Sequence, residues 1–175
     1  MKFLAMKAVF LVVLFCQVSC ARLSPDVPKH FDLTGEWKLI ESLSDQPPDP
    51  AKIRLEEDRN IARGRQKDVS ASASFVVTDF PVVVSNKMWI EQNSDSMGIR
   101  YSDGLYRDVS WGEHQRNYWH VHAGWMDGTL HIISKRKGIE GREIYVLGSD
   151  SDLTVDVTVD TSGSDIRVKR VFRRK

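Results

Sequence analysis

The stretch that decides the fold is Asn117-Tyr-Trp-His-Val-His-Ala-Gly-Trp-Met-Asp-Gly-Thr-Leu-His-Ile-Ile-Ser-Lys135. Asp127-Gly128 sits between two runs of strand-forming residues, and Asp-Gly is a strong signal for a two-residue hairpin because both central residues must take positive φ. A two-residue loop fixes the register. Met126 then faces Thr129, Trp125 faces Leu130, Ala123 faces Ile132 and Val121 faces Ser134. One face carries Trp119, Val121, Ala123, Trp125, Leu130 and Ile132 and must be covered by a core. The other carries His120, His122, His131, Ile133 and Lys135.

Outward from the hairpin, the chain continues as short strands and turns. Leu33 to Leu39 alternates Trp37 and Leu39 with Glu36 and Lys38, the pattern of a half-buried strand. Lys87 to Gln92 and Met97 to Tyr101 flank Asn93-Ser94-Asp95-Ser96. Tyr106 to Trp111 follows the Ser102-Asp103-Gly104 turn, and Gly112 to Arg116 reads as a loop. Arg142 to Leu147 and Ile166 to Arg173 bracket Leu153 to Asp160, whose valines alternate with threonines and aspartates. This predicts an all-β protein, an antiparallel meander of about nine strands that closes into a barrel or packs as a sandwich.

Residues 44–74 depart from that pattern. Ser44-Asp45-Gln46-Pro47-Pro48-Asp49-Pro50 breaks the strand, and Asp49-Pro50 can open a short helix, with Asp49 as cap and Pro50 in the first position. Lys52, Arg54, Arg59, Arg63, Arg65 and Lys67 are interleaved with Glu56, Glu57 and Asp58. This is a solvated, charged, mobile insertion rather than a basic recognition arm.

Residues 1–20 read as an export signal. Lys2 and Lys7 precede an apolar run from Ala8 to Val18 that is short for a membrane span, and Ser19, Cys20 and Ala21 are small. Cleavage after Ala21 gives a soluble exported chain; cleavage before Cys20 makes Cys20 a lipidated first residue, with 21–33 as tether and membrane association through the lipid. If bacterial, the protein is then periplasmic or envelope-anchored. Removal of residues 1–20 takes away two lysines and moves the formal net charge from +1 to −1, so nothing global draws the chain to nucleic acid. Both cysteines, Cys16 and Cys20, lie in this segment, so the domain at 34–175 depends on packing rather than cross-links.

Gly35-Glu36-Trp37 opening a barrel, with Arg170 among Ile166, Val168 and Phe172 on the inward face of the last strand, resembles the lipocalin and calycin pattern. The resemblance implies a barrel closed at its base by Trp37, with Arg170 stacked across it or capping that end. Residues 34–174 are also similar to small exported bacterial proteins of unassigned function. They share the Gly-x-Trp strand, a Ser-Asp-x-Pro loop, an arginine-rich excursion, the Ala-Gly-Trp hairpin and a basic last strand.

Two constellations invite chemistry. His120, His122 and His131 share a face at a spacing that suits zinc or copper, but in the hairpin register that face is the polar one and no carboxylate stands on it. Five tryptophans are present; Trp37, Trp119 and Trp125 read as core, while Trp111, Trp89 and Tyr101 are the candidates for an aromatic-lined pocket. Ser110 and His114 show no nucleophile–base spacing. The sequence thus predicts non-enzymatic binding of a small apolar or amphipathic molecule, or an envelope accessory role, with no cofactor. The alternatives are a metal-dependent or hydrolytic enzyme on the three histidines and a structural partner-binding module with a solid core.

Overall fold

The computed structural model describes residues 22–65, 76–149, 151–161 and 164–175. The expected signal segment, Cys20 included, lies outside the described residues, as does 66–74 of the expected insertion. Ten strands form one antiparallel sheet: β1 (Gly35–Leu39), β2 (Lys87–Gln92), β3 (Ser96–Tyr101), β4 (Tyr106–Ser110), β5 (Gly112–Arg116), β6 (Trp119–Met126), β7 (Thr129–Arg136), β8 (Ile139–Leu147), β9 (Asp152–Thr161) and β10 (Ser164–Arg174). Their order is β4-β3-β2-β1-β10-β9-β8-β7-β6-β5. Each strand pairs with its sequence neighbour except at two places. β1 pairs with β10, which curls the sheet into a barrel, and β4 does not pair with β5, which leaves a seam.

The register of the central hairpin is the one its turn dictates, with Met126 opposite Thr129 and Val121 opposite Ser134. Asp127 and Gly128 have φ of 52° and 75°, the mirror-image turn whose twist matches the strands. β9 alternates as its sequence does: Leu153, Val155, Val157 and Val159 are buried, and Asp156 and Asp160 are exposed.

β5 was expected as a loop. Its residues, Gly112-Glu113-His114-Gln115-Arg116, carry no apolar alternation because this is an edge strand, polar on both faces. Its hairpin to β6 turns on Asn117 at φ 51°, a conformation that asparagine tolerates better than most residues.

The excursion after β1 holds α1 (Pro50–Ala62), opened as expected: Asp49 accepts from the backbone N–H groups of Ala51 and Lys52, with Pro50 in the first turn. Leu55 and Ile61 remain exposed, Ile53 packs against the core, and Glu57, read as solvated, is buried. α2 (Val76–Asp79) and the 3-10 turn Pro81–Val83 bring Val76, Phe80, Val82 and Val83 into the core.

The two barrel ends are closed differently. At the base, the stretch expected as a tether carries Leu23, Phe31 and Leu33 into buried positions. Phe31 meets Trp125 edge-on at 6.0 Å, and Trp111 meets Trp125 at 4.6 Å. Ser24 adds a two-hydrogen-bond bridge to Trp125, and any side chain at Gly124 would strike the Ser24 carbonyl. Trp37 donates its Nε1 proton to the Leu33 carbonyl at 2.8 Å. The opposite end is covered by Phe80, whose ring lies where a Cβ on Gly141 would be.

Candidate functional site

The site is built from the inward faces of β4 and β8. On β4, Tyr106 and Asp108 are exposed, so Arg107 points the other way, opposite Ile99 of β3. On β8, Gly141, Glu143 and Tyr145 are buried, while Arg142 is exposed. Glu143 stands between Ile132 of β7 and Val157 of β9 and has no solvent exposure. Arg107 Nη1 donates to Glu143 Oε1 at 2.5 Å, and the Tyr145 hydroxyl donates to Glu143 Oε2 at 3.0 Å. The Tyr101 hydroxyl is buried in the same cluster, beside Arg107 and Tyr145.

The electrostatics are those of a closed pair. Burial alone would weaken the hold of Arg107 on its proton, but the Glu143 carboxylate outweighs it and raises the guanidinium further. Burial pushes both tyrosines above the ordinary phenol range, and the Glu143 carboxylate adds to it. Both phenols therefore stay neutral. A buried ion pair is seldom a net gain over apolar packing, so its presence in the barrel asks for a role beyond stability.

The space in front of Arg107 lies at the seam. A cavity of about 180 Å³ is walled by Phe80, Leu105, Arg107, Trp119, Val121 and Ser134. A second depression of about 390 Å³ runs along the seam and shares Arg107, Arg116 and Val121 with it. Arg116 Nη1 reaches across from β5 to the Asp108 carbonyl of β4, bridging two edges that make no ladder. Phe80 meets Trp119 edge-on at 5.8 Å; Arg136 lies over the outer part of that indole at 5.2 Å, with Asp79 at 4.0 Å. α2 is thus held over the mouth by Asp79, which meets both Arg136 and the Trp119 side chain, and by the Phe80 ring that follows it.

The residues picked from sequence are spread out. Tyr101 is in the interior, next to the ion pair. Trp111 is at the base, against Trp125, with its Nε1 proton on the Asn93 carbonyl at 3.2 Å. Trp89 is on the outer surface under the Lys87 ammonium, 4.2 Å from the ring centroid. The three do not meet. The aromatic rings at the cavity are instead Phe80, Tyr106 and Trp119. Arg170 is buried on the inward face, as its alternation requires, and its guanidinium donates to the Asp45 and Ser85 carbonyls at 2.7 and 3.3 Å. The cation over Trp37 is Arg174.

His120 is exposed on the outer face. His122 is 3.8 Å from Glu113 of the unexpected strand β5, so the face does carry a carboxylate. His131, expected in solvent, is buried and shares a 2.8 Å hydrogen bond with the Thr129 hydroxyl; burial lowers its proton affinity. Among the described residues, no group of three or more His, Cys, Asp or Glu side chains is placed to hold a metal ion.

Arg107, Glu143 and Phe80 are the site residues that sequence reasoning missed. A signal existed for two of them. Leu105-x-Arg107-x-Val109 and Gly141-x-Glu143-x-Tyr145 each put one charge on an otherwise inward face, and the two charges have opposite sign.

No protein-family model matches the chain, and no curated protein matches it. Among solved structures, it is similar to a point mutant of the fluorescent protein UnaG, with 18% identity, a TM-score of 0.50, and 82% of this chain and 96% of that one covered. Fatty-acid-binding protein 1 of Echinococcus granulosus gives 12% identity, a TM-score of 0.49, and coverage of 81% and 96%. Zebrafish ileal bile acid-binding protein complexed with cholic acid gives 13%, 0.47, and coverage of 81% and 98%. At such identities the likeness is one of fold. The nearly closed antiparallel meander with a helical excursion after its first strand is a lipocalin/calycin-like β-barrel.

Proposed function

We propose that this chain is an exported barrel domain that binds one small amphipathic molecule at the β4–β5 seam and does not transform it. One observation carries the reading: a solvent-connected cavity, in which Phe80, Trp119 and Val121 share the wall with Asp79, Arg116 and Ser134, ends on a buried, hydrogen-bonded polar group. A mostly apolar concavity with a few fixed polar groups is the usual form of a small-molecule site. The cavity of about 180 Å³ beside Phe80 is close in size to one that holds a single aromatic ring, about 150 Å³. The adjoining depression gives room for the rest of a larger ligand. Binding rather than catalysis follows from the charges, since Arg107 and Glu143 are committed to each other and neither is poised to exchange a proton.

Native mass spectrometry of the mature protein from its source tests the reading. A bound small molecule in one-to-one ratio, lost on Val121→Trp, is the expected result. A chain that is empty from its source and takes up neither naphthalene- nor alkyl-based amphiphiles would end it. Export rests on residues 1–20, and fractionation of wild type and Cys20→Ser tests it. Membrane association lost in the variant identifies the lipid anchor, an unanchored exported chain identifies the soluble form, and an uncleaved cytosolic product overturns export.

A further inference from the structure

We infer that the seam site selects a neutral, hydrogen-bonding head group, a hydroxyl or an amide, over a carboxylate on the same skeleton. This rests on the binding reading above.

The inner end of the site is already charge-balanced. Of the two arginines that line the cavity, Arg107 and Arg116, Arg107 is the one held inside, and its counter-ion is Glu143, at 2.5 Å and fully buried behind it. Both oxygens of Glu143 are engaged, one by Arg107 and the other by Tyr145. An incoming carboxylate would put two anions against one guanidinium inside the barrel, where an uncompensated charge is costly. A neutral group adds no charge. It can hydrogen-bond to the Ser134 hydroxyl, a buried polar group of the cavity wall.

The charges at the mouth do not change this balance. Asp79 and Arg136 face each other at 4.0 Å. Arg116 is engaged with the Asp108 carbonyl at the solvent edge. A carboxylate held there would be screened by water and salt and would gain little. An anion is therefore penalised inside and weakly rewarded outside.

The test uses the full mature chain and two matched pairs, 2-naphthalenemethanol against 2-naphthoate and decanol against decanoate, titrated at neutral pH by calorimetry. The alcohols should bind at least about tenfold more tightly than their acids, the scale set by burying one unpaired charge. In Glu143→Gln, which keeps a hydrogen-bonding group for Tyr145 but removes the counter-ion, the preference should invert. Ser134→Ala should weaken the alcohols and leave the acids unchanged. Equal affinities or a preference for the acids in the wild type would overturn the inference while leaving the binding reading intact, and this needs no variant to fold. If neither member of either pair binds the wild type or Glu143→Gln, the binding reading falls, and this inference with it.

Discussion

Arg174 lies over the indole of Trp37, its guanidinium carbon 4.7 Å from the ring centroid, and the two residues are direct partners in the β1–β10 ladder. The contact closes the barrel exactly where the first and last strands join, and Arg174 also donates to the Asp32 carbonyl ahead of β1. Trp37 is fully buried, so Trp37→Ala should cost about 3–5 kcal/mol. Arg174→Ala should cost less, about 0.5–2 kcal/mol. A double-mutant cycle measured by urea unfolding should give a coupling of about 0.5–1 kcal/mol between them. Arg170, which serves the Asp45 and Ser85 carbonyls instead, should show no coupling to Trp37. Coupling to Arg170 rather than Arg174 would contradict the observed closure.

Phe80 and Gly141 form a second dependent pair. The Phe80 ring occupies the space above the Gly141 backbone, so the smallest side chain there must displace it. Gly141→Ala should destabilise the domain by about 1–3 kcal/mol, the range for overpacking. Phe80→Ala alone removes a buried ring and should cost about 3 kcal/mol. The double variant should then be no worse than Phe80→Ala, because the added methyl meets an empty space. Additive losses in the thermal unfolding of the three variants would mean that the ring does not sit on Gly141.

The acid side of the stability profile should depend on Glu36. Its carboxylate is 2.7 Å from both Lys87 and Lys175, and the hydrogen bonds from Lys175 and then Lys87 hold its pKa down at about 2, against 4.5 for an ordinary glutamate. The folded value lies below the unfolded one. The unfolded chain therefore binds more protons between them, and stability falls as pH drops through that window. The contribution is complete above about 4.5 and gone near about 2. Glu36→Gln should flatten this limb of a plot of Tm against pH at low salt. At high salt the difference should shrink, since the group is at the surface. An unchanged limb in the variant would assign it to other carboxylates.

The legible parts of this fold were those whose pattern was binary. Asp127-Gly128 fixed a register because two positive φ values leave few alternatives, and β9 gave its inner face because apolar and polar residues alternate without a break. The inward direction of Arg170 followed from the same alternation. Lys87-Met88-Trp89-Ile90 was harder, because three consecutive apolar residues carry no phase. Trp89 faces out because Met88 is the residue that pairs with Trp37, a long-range fact. β5 was hidden by its polarity. Phe80 was hidden because a plug is defined by what lies beneath it, and Gly141 is 61 positions away in sequence. The Arg107–Glu143 pair crosses the barrel between strands that are not neighbours in the sheet, so no local spacing encodes it.

That pair also sets the sharpest test of the interior. Arg107 keeps some contact with solvent at the seam, with 12% side-chain exposure, whereas Glu143 has none. The two single deletions should therefore be unequal. Arg107→Met strands a carboxylate in the core with only Tyr145 to answer it, and the loss of one partner of a buried pair costs about 3–5 kcal/mol. Glu143→Gln strands a cation that can turn toward the seam and water, so it should cost less. Replacing both, with Arg107→Met and Glu143→Leu together, removes the desolvation cost of two ions, and such exchanges are often neutral or stabilising. The double variant should then be at least as stable as wild type in urea unfolding. It should still prefer the alcohol to the acid, since an apolar end offers a carboxylate no counter-ion. A double variant as unstable as the sum of its singles would show that the two charges act independently, and that the interior is held by something other than their pairing.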